Sequence, residues 1–254
     1  MSAGGPSAAR RPDGDGPPLE AAAALDLLRA GTLDVRGRLV DASNATLYCA
    51  IECDGVEATC VYKPVRGERP LWDFPDGTLA AREVAAYALS DASGWRVVPP
   101  TVLRDGPFGE GMVQLWIDGD DTVDLTRLVR ADRPPLRRMA VFDAVANNAD
   151  RKGGHLIPMP DGHVYGVDHG VTFHAQDKLR TVLWTWAGDP LDDETVDVLS
   201  DLRARLEGPL GETLLALLTR REVAAVVRRV DRLLTARRYP EPSGDWPAIP
   251  WPPF

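Results

Sequence analysis

Hydrophobic and polar positions follow two different periods, and the period changes about half-way along the chain. In the first half, short segments alternate apolar and polar residues, which is typical of β-strands with one buried face. In the second half, apolar residues recur every three or four positions, which is typical of amphipathic helices. We therefore predict an α+β fold with a β-rich N-terminal part and a mainly helical C-terminal part.

The N-terminal part is predicted to contain two helices and five strands. In chain order these elements are Leu19–Ala30 (helix), Leu33–Val40, Leu47–Cys53 and Ala58–Val65 (strands), Thr78–Ser90 (helix), and Trp95–Leu103 and Met112–Ile117 (strands). Asp54 and Gly55 give the second and third strands a hairpin turn. Two consecutive prolines limit the Trp95–Leu103 segment to the edge of a sheet, because proline lacks the N–H that a central strand donates.

The C-terminal part is predicted to be helical except for one short hairpin. Its helices are Leu125–Ala131, Leu136–Asn147, Asp192–Leu206, Glu212–Leu218 and Thr219–Arg237, and its strands are Leu156–Pro158 and His163–Val167. The last helix begins with a capping box, since Thr219 is followed three residues later by Glu222.

Four segments follow from this pattern. Residues 1–18 are rich in Gly, Pro, Ser and Arg and are predicted to be a disordered tail. Residues 19–117 form the β-rich lobe and residues 118–238 the helical lobe, with the boundary between Ile117 and Asp121. Residues 239–254, rich in Pro and Trp, are predicted to wrap the surface without regular structure.

Composition narrows the classes of protein that the chain can belong to. The net charge of −9 over 254 residues argues against nucleic-acid binding, which needs clustered Lys and Arg. The sequence contains no run of about 18 apolar residues, so no membrane span is predicted. The first residues lack the apolar core of a signal peptide, and we therefore expect a cytoplasmic protein. The three cysteines lack the spacing of a zinc site and are predicted to be reduced thiols.

The candidate chemistry flanks the predicted C-terminal hairpin. A polar loop, Asn147–His155, precedes the hairpin and carries Asp150, and Asp168 follows it in the sequence Asp-His-Gly. Loops held by a rigid hairpin are common places for catalytic residues. The sequence therefore predicts that these two aspartates belong to one site.

The segment containing both aspartates resembles the catalytic core of protein-kinase-like enzymes. Asn148-Ala149-Asp150-Arg151 followed by Asp168-His169-Gly170 is similar to the phosphatidylinositol 3-/4-kinase branch and, more distantly, to the HipA-like kinases. An actinobacterial family described as phosphatidylinositol 3-/4-kinase-like resembles the chain most, over roughly Gly31 to Arg238. The resemblance implies a small two-lobed kinase-like fold that binds ATP and Mg²⁺ between its lobes.

The resemblance also implies roles for individual residues. Asp150 would be the catalytic aspartate, with Arg151 and Lys152 contacting the γ-phosphate or the substrate. Asp168 would bind the metal, and His155 stands where these kinases usually carry an asparagine ligand. Imidazole suits Mn²⁺ better than Mg²⁺, so Mn²⁺ is a possible alternative; Asn147 and Asn148 are alternative amide ligands.

Residues of the N-terminal part would hold the nucleotide. Lys63 lies in an apolar strand and Glu83 in the following helix, which is the order of the ion pair that positions ATP phosphates; Glu68 is a second candidate partner. The small polar residues between the first two strands, which include Ser43 and Asn44, are candidates for folding over the phosphates. Gln114, Trp116 and Ile117 are the candidate adenine-binding hinge.

The function predicted first is therefore an ATP-dependent phosphotransferase whose acceptor is a protein or small-molecule hydroxyl. A lipid acceptor is not implied, because the link from Phe173 to Trp184 is short for a lipid-recognition loop. Three alternatives stay open: a nucleotide-binding pseudokinase or interaction module, an enzyme that transfers AMP, and a metal-dependent hydrolase using His155, His169 and the two aspartates. The first is favoured by His155, and the last leaves Lys63 without a role.

Overall fold

The computed structural model describes residues 19–39 and 44–254. Two expectations therefore lie outside the described residues: the disordered tail over residues 1–18, and the placement of Ser43 over bound phosphates. The predicted α+β fold is confirmed, with an antiparallel sheet in the N-terminal part and helices in the C-terminal part.

Five strands of the described region form one antiparallel sheet in the order β1-β2-β3-β5-β4. The elements of this part are α1 (Ala21–Ala30), β1 (Thr32–Arg38), β2 (Leu47–Cys53), β3 (Val56–Pro64), α2 (Leu79–Ser93), β4 (Thr101–Gly106) and β5 (Gly109–Leu115). Alternate residues such as Cys49, Ile51 and Cys60 face a small core that α1 covers with Leu27 and Leu28. All three cysteines are free thiols.

The strand predicted over Trp95–Leu103 is shorter and begins later in the structure. Strand β4 begins only at Thr101 and pairs with β5 alone, so the edge position is confirmed but the earlier start is wrong. Val97 and Val98 are instead buried in the larger core. The reason is Pro99 and Pro100, which offer no N–H to a neighbouring strand.

The larger core lies in the helical part and includes one face of α2. Its remaining elements are α3 (Leu125–Leu128), α4 (Pro134–Ala146), β6 (Leu156–Pro158), β7 (Val164–Gly166), α5 (Asp193–Arg205), α6 (Pro209–Leu217) and α7 (Arg220–Ala236). The predicted capping box at the start of α7 is present between Thr219 and Glu222. One face of helix α2 packs on the helices, and its residue Glu83 pairs with Lys63 of strand β3. Helix α2 therefore lies between the sheet and the helical part.

Candidate active site

The loop between α4 and β6 leaves its helix at a left-handed residue. Asn147 has a φ of 54° and ends α4, a conformation that asparagine tolerates better than most residues. Its side-chain oxygen accepts from the backbone N–H of Lys178 at 2.8 Å, and its amide nitrogen donates to the carbonyls of His174 and Gln176. Asn147 thus ties the loop to the segment after the second aspartate and is not available as a metal ligand.

Arg151 lies beneath the loop rather than in the cleft. Its fully buried guanidinium forms two hydrogen bonds of 2.9 Å with the Asp143 carboxylate and a third of 3.1 Å with the Val167 carbonyl. A fourth contact joins it to Nε2 of His169 at 2.6 Å. The expectation that Arg151 contacts phosphate or substrate does not fit this placement, because its guanidinium is fully buried and four of its five N–H donors are engaged inside the protein.

Asp150 and Lys152 flank Arg151 in the same loop but, unlike Arg151, are partly exposed. Lys152 Nζ lies 3.2 Å from Asp150 Oδ2, and both side chains are partly exposed. Burial raises the pKa of Asp150 above its ordinary value, although the neighbouring Lys152 opposes the shift. The Asp150 backbone N–H donates to Asn148, whose own amide donates to buried Asp143. Asn148 therefore braces the loop and does not face a metal.

Three charged side chains from separate elements meet at the cleft. Lys63 Nζ on β3 lies 2.7 Å from Glu83 Oε1 on α2 and 2.8 Å from Asp168 Oδ1 after β7. The second Glu83 oxygen accepts from the backbone N–H of His169 at 2.8 Å, so Glu83 holds both the lysine and the backbone next to Asp168. Burial opposes the charge of Lys63, but the two carboxylates outweigh it and raise its pKa.

Asp168 is presented to the cleft by an unusual backbone conformation. Its φ is 61°, in the left-handed region that non-glycine residues seldom adopt and that often marks functional sites. Its carboxylate is 52% exposed, and Lys63 holds its pKa well below the ordinary range. The structure therefore presents an ionised, accessible carboxylate beside a lysine ammonium.

His155 stands close to the exposed carboxylate. Its Nε2 lies 3.6 Å from Asp168 Oδ2, and its Nδ1 accepts from the Lys152 backbone N–H at 3.5 Å. We assign the ring proton to Nε2 on that basis. Burial is the main cause that lowers the pKa of His155 to about 4, so the imidazole is neutral at pH 7.

His169 is part of the interior. Its ring is fully buried, lies edge-on to Phe142 with 5.6 Å between ring centroids, and accepts from Arg151. Burial lowers its pKa well below the ordinary value, which keeps it neutral. Because His169 is buried against Arg151, the four side chains of the hydrolase interpretation do not converge on one exposed metal site.

The predicted hinge residues are used within the fold. The Gln114 side chain is buried and donates to Thr101 Oγ1 at 2.9 Å, and the Trp116 backbone N–H donates to the Thr59 carbonyl at 3.0 Å. The Trp116 indole donates to Asp118 at 2.7 Å. The side chain of Gln114 and the backbone N–H of Trp116 are therefore engaged elsewhere, while Ile117, half-buried, follows directly at the predicted boundary between the two parts.

The remaining predicted residues lie around α2. Asn44 accepts from the Arg69 backbone N–H at 2.8 Å and so fixes its own loop to the segment after β3. Glu68 accepts from the backbone N–H groups of Leu79 and Ala80 and caps the start of α2. Glu83 and not Glu68 is thus the partner of Lys63.

Two features of the site region were not predicted from the sequence. Asp143, the buried partner of Arg151, has a local signal: a carboxylate among the apolar residues of α4. The tail after Tyr239 carries no sequence signal that places it at the site. Even so, its Pro253 carbonyl accepts from the Gly153 N–H of the Asp150 loop at 2.8 Å. Trp72 is 83% exposed and stacks on Trp246 of the same tail.

The chain has a protein-kinase-like fold, as its similarity to two solved structures shows. The Golgi casein kinase crystallised with Mn/ADP matches with a TM-score of 0.58 at 15% identity, covering 85% of this chain and 75% of that one. A second crystal structure of the Golgi casein kinase matches with the same score and identity over 74% of its chain. None of the helices within residues 19–39 and 44–254 is long and apolar enough to cross a membrane.

Sequence comparison finds a relative that is more similar in sequence than these two structures. Protein Rv2133c of Mycobacterium tuberculosis is 46% identical over 263 residues, which cover 90% of this chain and 94% of that protein, and the chain belongs to its family. Phosphatidylinositol 4-kinase gamma 4 of rice is 27% identical over 150 residues, half of this chain but 26% of the kinase. No family model matches.

Proposed function

We propose that this protein binds ATP with a divalent cation between its sheet and its helices and transfers a phosphoryl group to a hydroxyl. The cluster of Lys63, Glu83 and Asp168 carries the proposal, since three separate elements bring a cation, its positioning carboxylate and an accessible carboxylate within hydrogen-bond distance. Phosphoryl transfer asks a protein mainly for positioning and charge neutralisation, and this cluster supplies both. The Golgi casein kinase, which shares the fold, was crystallised with manganese and ADP.

Lys63 is the group that would meet the phosphates. Its ammonium is largely buried and is held from behind by the almost fully buried Glu83, so it stays charged and oriented. Asp168 shares the same ammonium from the exposed side. A phosphate oxygen approaching from the cleft would replace part of the Asp168 contact and release that carboxylate for a cation.

Asp168 and His155 are the side chains that would hold the cation. A carboxylate oxygen suits Mg²⁺, and a neutral imidazole beside it suits Mn²⁺ better. A cation bound there would neutralise charge on the transferred phosphate. Ligation through Nε2 would require the ring proton of His155 to move to Nδ1, which now accepts from the Lys152 backbone N–H.

Asp150 is the residue that would orient or deprotonate the acceptor hydroxyl. It is partly exposed, its pKa is raised by burial, and its carboxylate lies beside the Lys152 ammonium. A base with a raised pKa takes a proton more readily near neutral pH. Lys152 would then stand next to the transferred group as a second cation.

We propose a protein or small-molecule hydroxyl as the acceptor and a place near the phosphatidylinositol 3-/4-kinase branch for the family. The rice 4-kinase matches over half of the chain, which supports the branch. A lipid acceptor is not proposed, because the segment between Phe173 and Trp184 is short and is tied down by the Asn147 side chain and by the Arg180 N–H, which donates to the Asn148 carbonyl.

His155 is the observation that favours a second candidate, a nucleotide-binding pseudokinase. It replaces the usual asparagine, its imidazole is neutral, and its Nε2 lies 3.6 Å from Asp168 Oδ2. Incubation with ATP and either Mn²⁺ or Mg²⁺, followed by separation of ADP and AMP, distinguishes the possibilities. ADP formation that is lost in Asp150→Asn supports phosphoryl transfer, AMP attached to protein indicates AMP transfer, and tight binding without either product indicates the pseudokinase. Absence of both binding and product would overturn the proposal.

A further inference from the structure

The tail after α7 crosses three parts of the site region. The Ala248 carbonyl accepts from the Thr181 N–H at 3.0 Å and from the Trp184 indole at 2.9 Å, which fixes the tail to the segment that follows Asp168. Trp246 stacks on Trp72 with 6.4 Å between ring centroids, and this fixes the tail to the loop after β3. The tail thus bridges the helical part and the N-terminal part.

Lys178 strengthens this bridge. Its ammonium is buried, pairs with Asp73, and lies 4.8 Å from the ring centroids of both Trp72 and Trp246. A buried cation between two indoles and a carboxylate is a stabilising arrangement. The position of the tail is therefore set by charge and aromatic contacts as well as by backbone hydrogen bonds.

The end of the described tail touches the loop that carries Asp150. The Pro253 carbonyl accepts from the Gly153 N–H at 2.8 Å. The Phe254 ring lies so close to Gly153 that a Cβ at this position would overlap ring atoms Cδ1 and Cε1. The Phe254 ring and not the backbone conformation favours glycine here, since Gly153 is not in the left-handed region and a Cβ would displace the ring.

We infer that residues 246–254 are a working part of the active site: they position the Asp150 loop, and Phe254 packs against that loop at Gly153, next to Lys152. This inference rests on the proposed function. Arg151 anchors the loop from the interior, its backbone N–H donates to the Arg180 carbonyl, and the Pro253 carbonyl holds the loop at Gly153, directly after Lys152. Phe254 is 49% exposed, so part of its ring remains open beside the loop.

The two glycines of the loop provide a matched pair of variants. Gly153→Ala forces its methyl group against the Phe254 ring, whereas a Cβ at Gly154 meets no atom within 4 Å. Phe254→Ala removes the ring, and the double variant Gly153→Ala with Phe254→Ala has room for the methyl group. Thermal denaturation of all four variants checks that they are folded.

The rate of ADP formation is the first readout. We expect Phe254→Ala and Gly153→Ala each to lower kcat about tenfold with KM for ATP within twofold, because the loop and not the nucleotide is misplaced. The double variant should match Phe254→Ala alone rather than show about a hundredfold loss, since both changes break the same contact. Gly154→Ala should stay within twofold of the wild type. Rates within twofold for both single variants, or losses that multiply, would overturn the inference.

Hydrogen exchange at Gly153 is the second readout and does not depend on catalysis. With the tail in place its amide is bonded to Pro253, and we expect at least tenfold faster exchange in Phe254→Ala, with α7 amides unchanged. Unchanged exchange at Gly153 would refute positioning by the tail. If the wild type binds no ATP or forms no ADP, the proposed function fails, and the exchange result still decides whether the tail holds the loop.

Discussion

Lys63 Nζ lies 2.8 Å from Asp168 Oδ1, although the two residues are 105 positions apart in the chain. The same ammonium lies 2.7 Å from Glu83, so one cation joins strand β3, helix α2 and the residue after β7. In a working site the lysine would bind phosphate and the aspartate would bind metal. A metal–nucleotide complex would therefore separate the two groups that are now in contact, Lys63 and Asp168.

Substitution Lys63→Met should reduce both stability and nucleotide binding. It leaves Glu83 buried without its cation, and we expect a loss of about 3–5 kcal/mol in the free energy of unfolding. Urea denaturation measures that loss. The double variant Lys63→Met with Glu83→Gln should recover part of the stability but none of the ATP binding. Recovery of both would mean that Lys63 does not contact the nucleotide.

Neighbouring Arg151 and Lys152 should respond in opposite ways. Arg151→Met leaves the fully buried Asp143 unpaired and should cost about 3–5 kcal/mol of stability. Lys152→Met breaks only a partly exposed pair and should change stability by less than about 1 kcal/mol, while lowering the rate of ADP formation at least tenfold. Chemical denaturation and product assays on both variants decide the matter; a stable Arg151→Met would contradict the assignment of a buried anchor.

Glu222 should make stability depend on pH. Its carboxylate pairs with buried Arg82 and accepts from Thr219, and although burial opposes ionisation, these bonds lower its pKa. A depressed folded pKa gives stability that is present above the unfolded value of about 4.3 and is lost as pH falls through the folded value. Glu222→Gln should therefore be less stable than the wild type at pH 7, and the difference should narrow below about pH 4. A constant difference across this range would show that Glu222 is not ionised in the folded protein.

His155 should determine the preferred metal. A neutral imidazole favours Mn²⁺ over Mg²⁺, whereas an amide oxygen suits Mg²⁺. We expect ATP to stabilise the wild type more with Mn²⁺ than with Mg²⁺, and His155→Asn to remove or reverse that preference. His163→Asn is the matched control, because His163 bonds to the Arg96 carbonyl at the hairpin. An unchanged metal preference in His155→Asn would exclude His155 from the metal site.

Much of the fold was predictable because the local patterns agree with the tertiary structure. The Leu47–Cys53 strand has the predicted bounds, with Cys49 and Ile51 buried on one face, and the capping box marks the start of α7. The pairing of Lys63 with Glu83 was also predictable, since a lysine in an apolar strand needs a buried partner.

The placement of Arg151 and of the tail was not predictable from local pattern. Arg151 follows Asp150 in a polar loop, so its sequence neighbours indicate exposure. It is buried because it pairs with Asp143 near the C-terminal end of α4. Phe254 belongs to a segment without periodicity, and its contact with Gly153 exists only in three dimensions. The contact of Phe254 with Gly153 depends on long-range packing that no spacing in the sequence records.

The measurement that tests the central claim most directly is the thermal stability of the purified protein with ATP, with and without Mn²⁺ or Mg²⁺, beside Asp168→Asn. A ligand that binds only the folded state adds about 2.7 kcal/mol at a hundredfold excess over its Kd. We predict stabilisation that needs both ATP and the metal in the wild type and is lost in Asp168→Asn. Equal stability with and without millimolar ATP and metal would contradict the proposed nucleotide site.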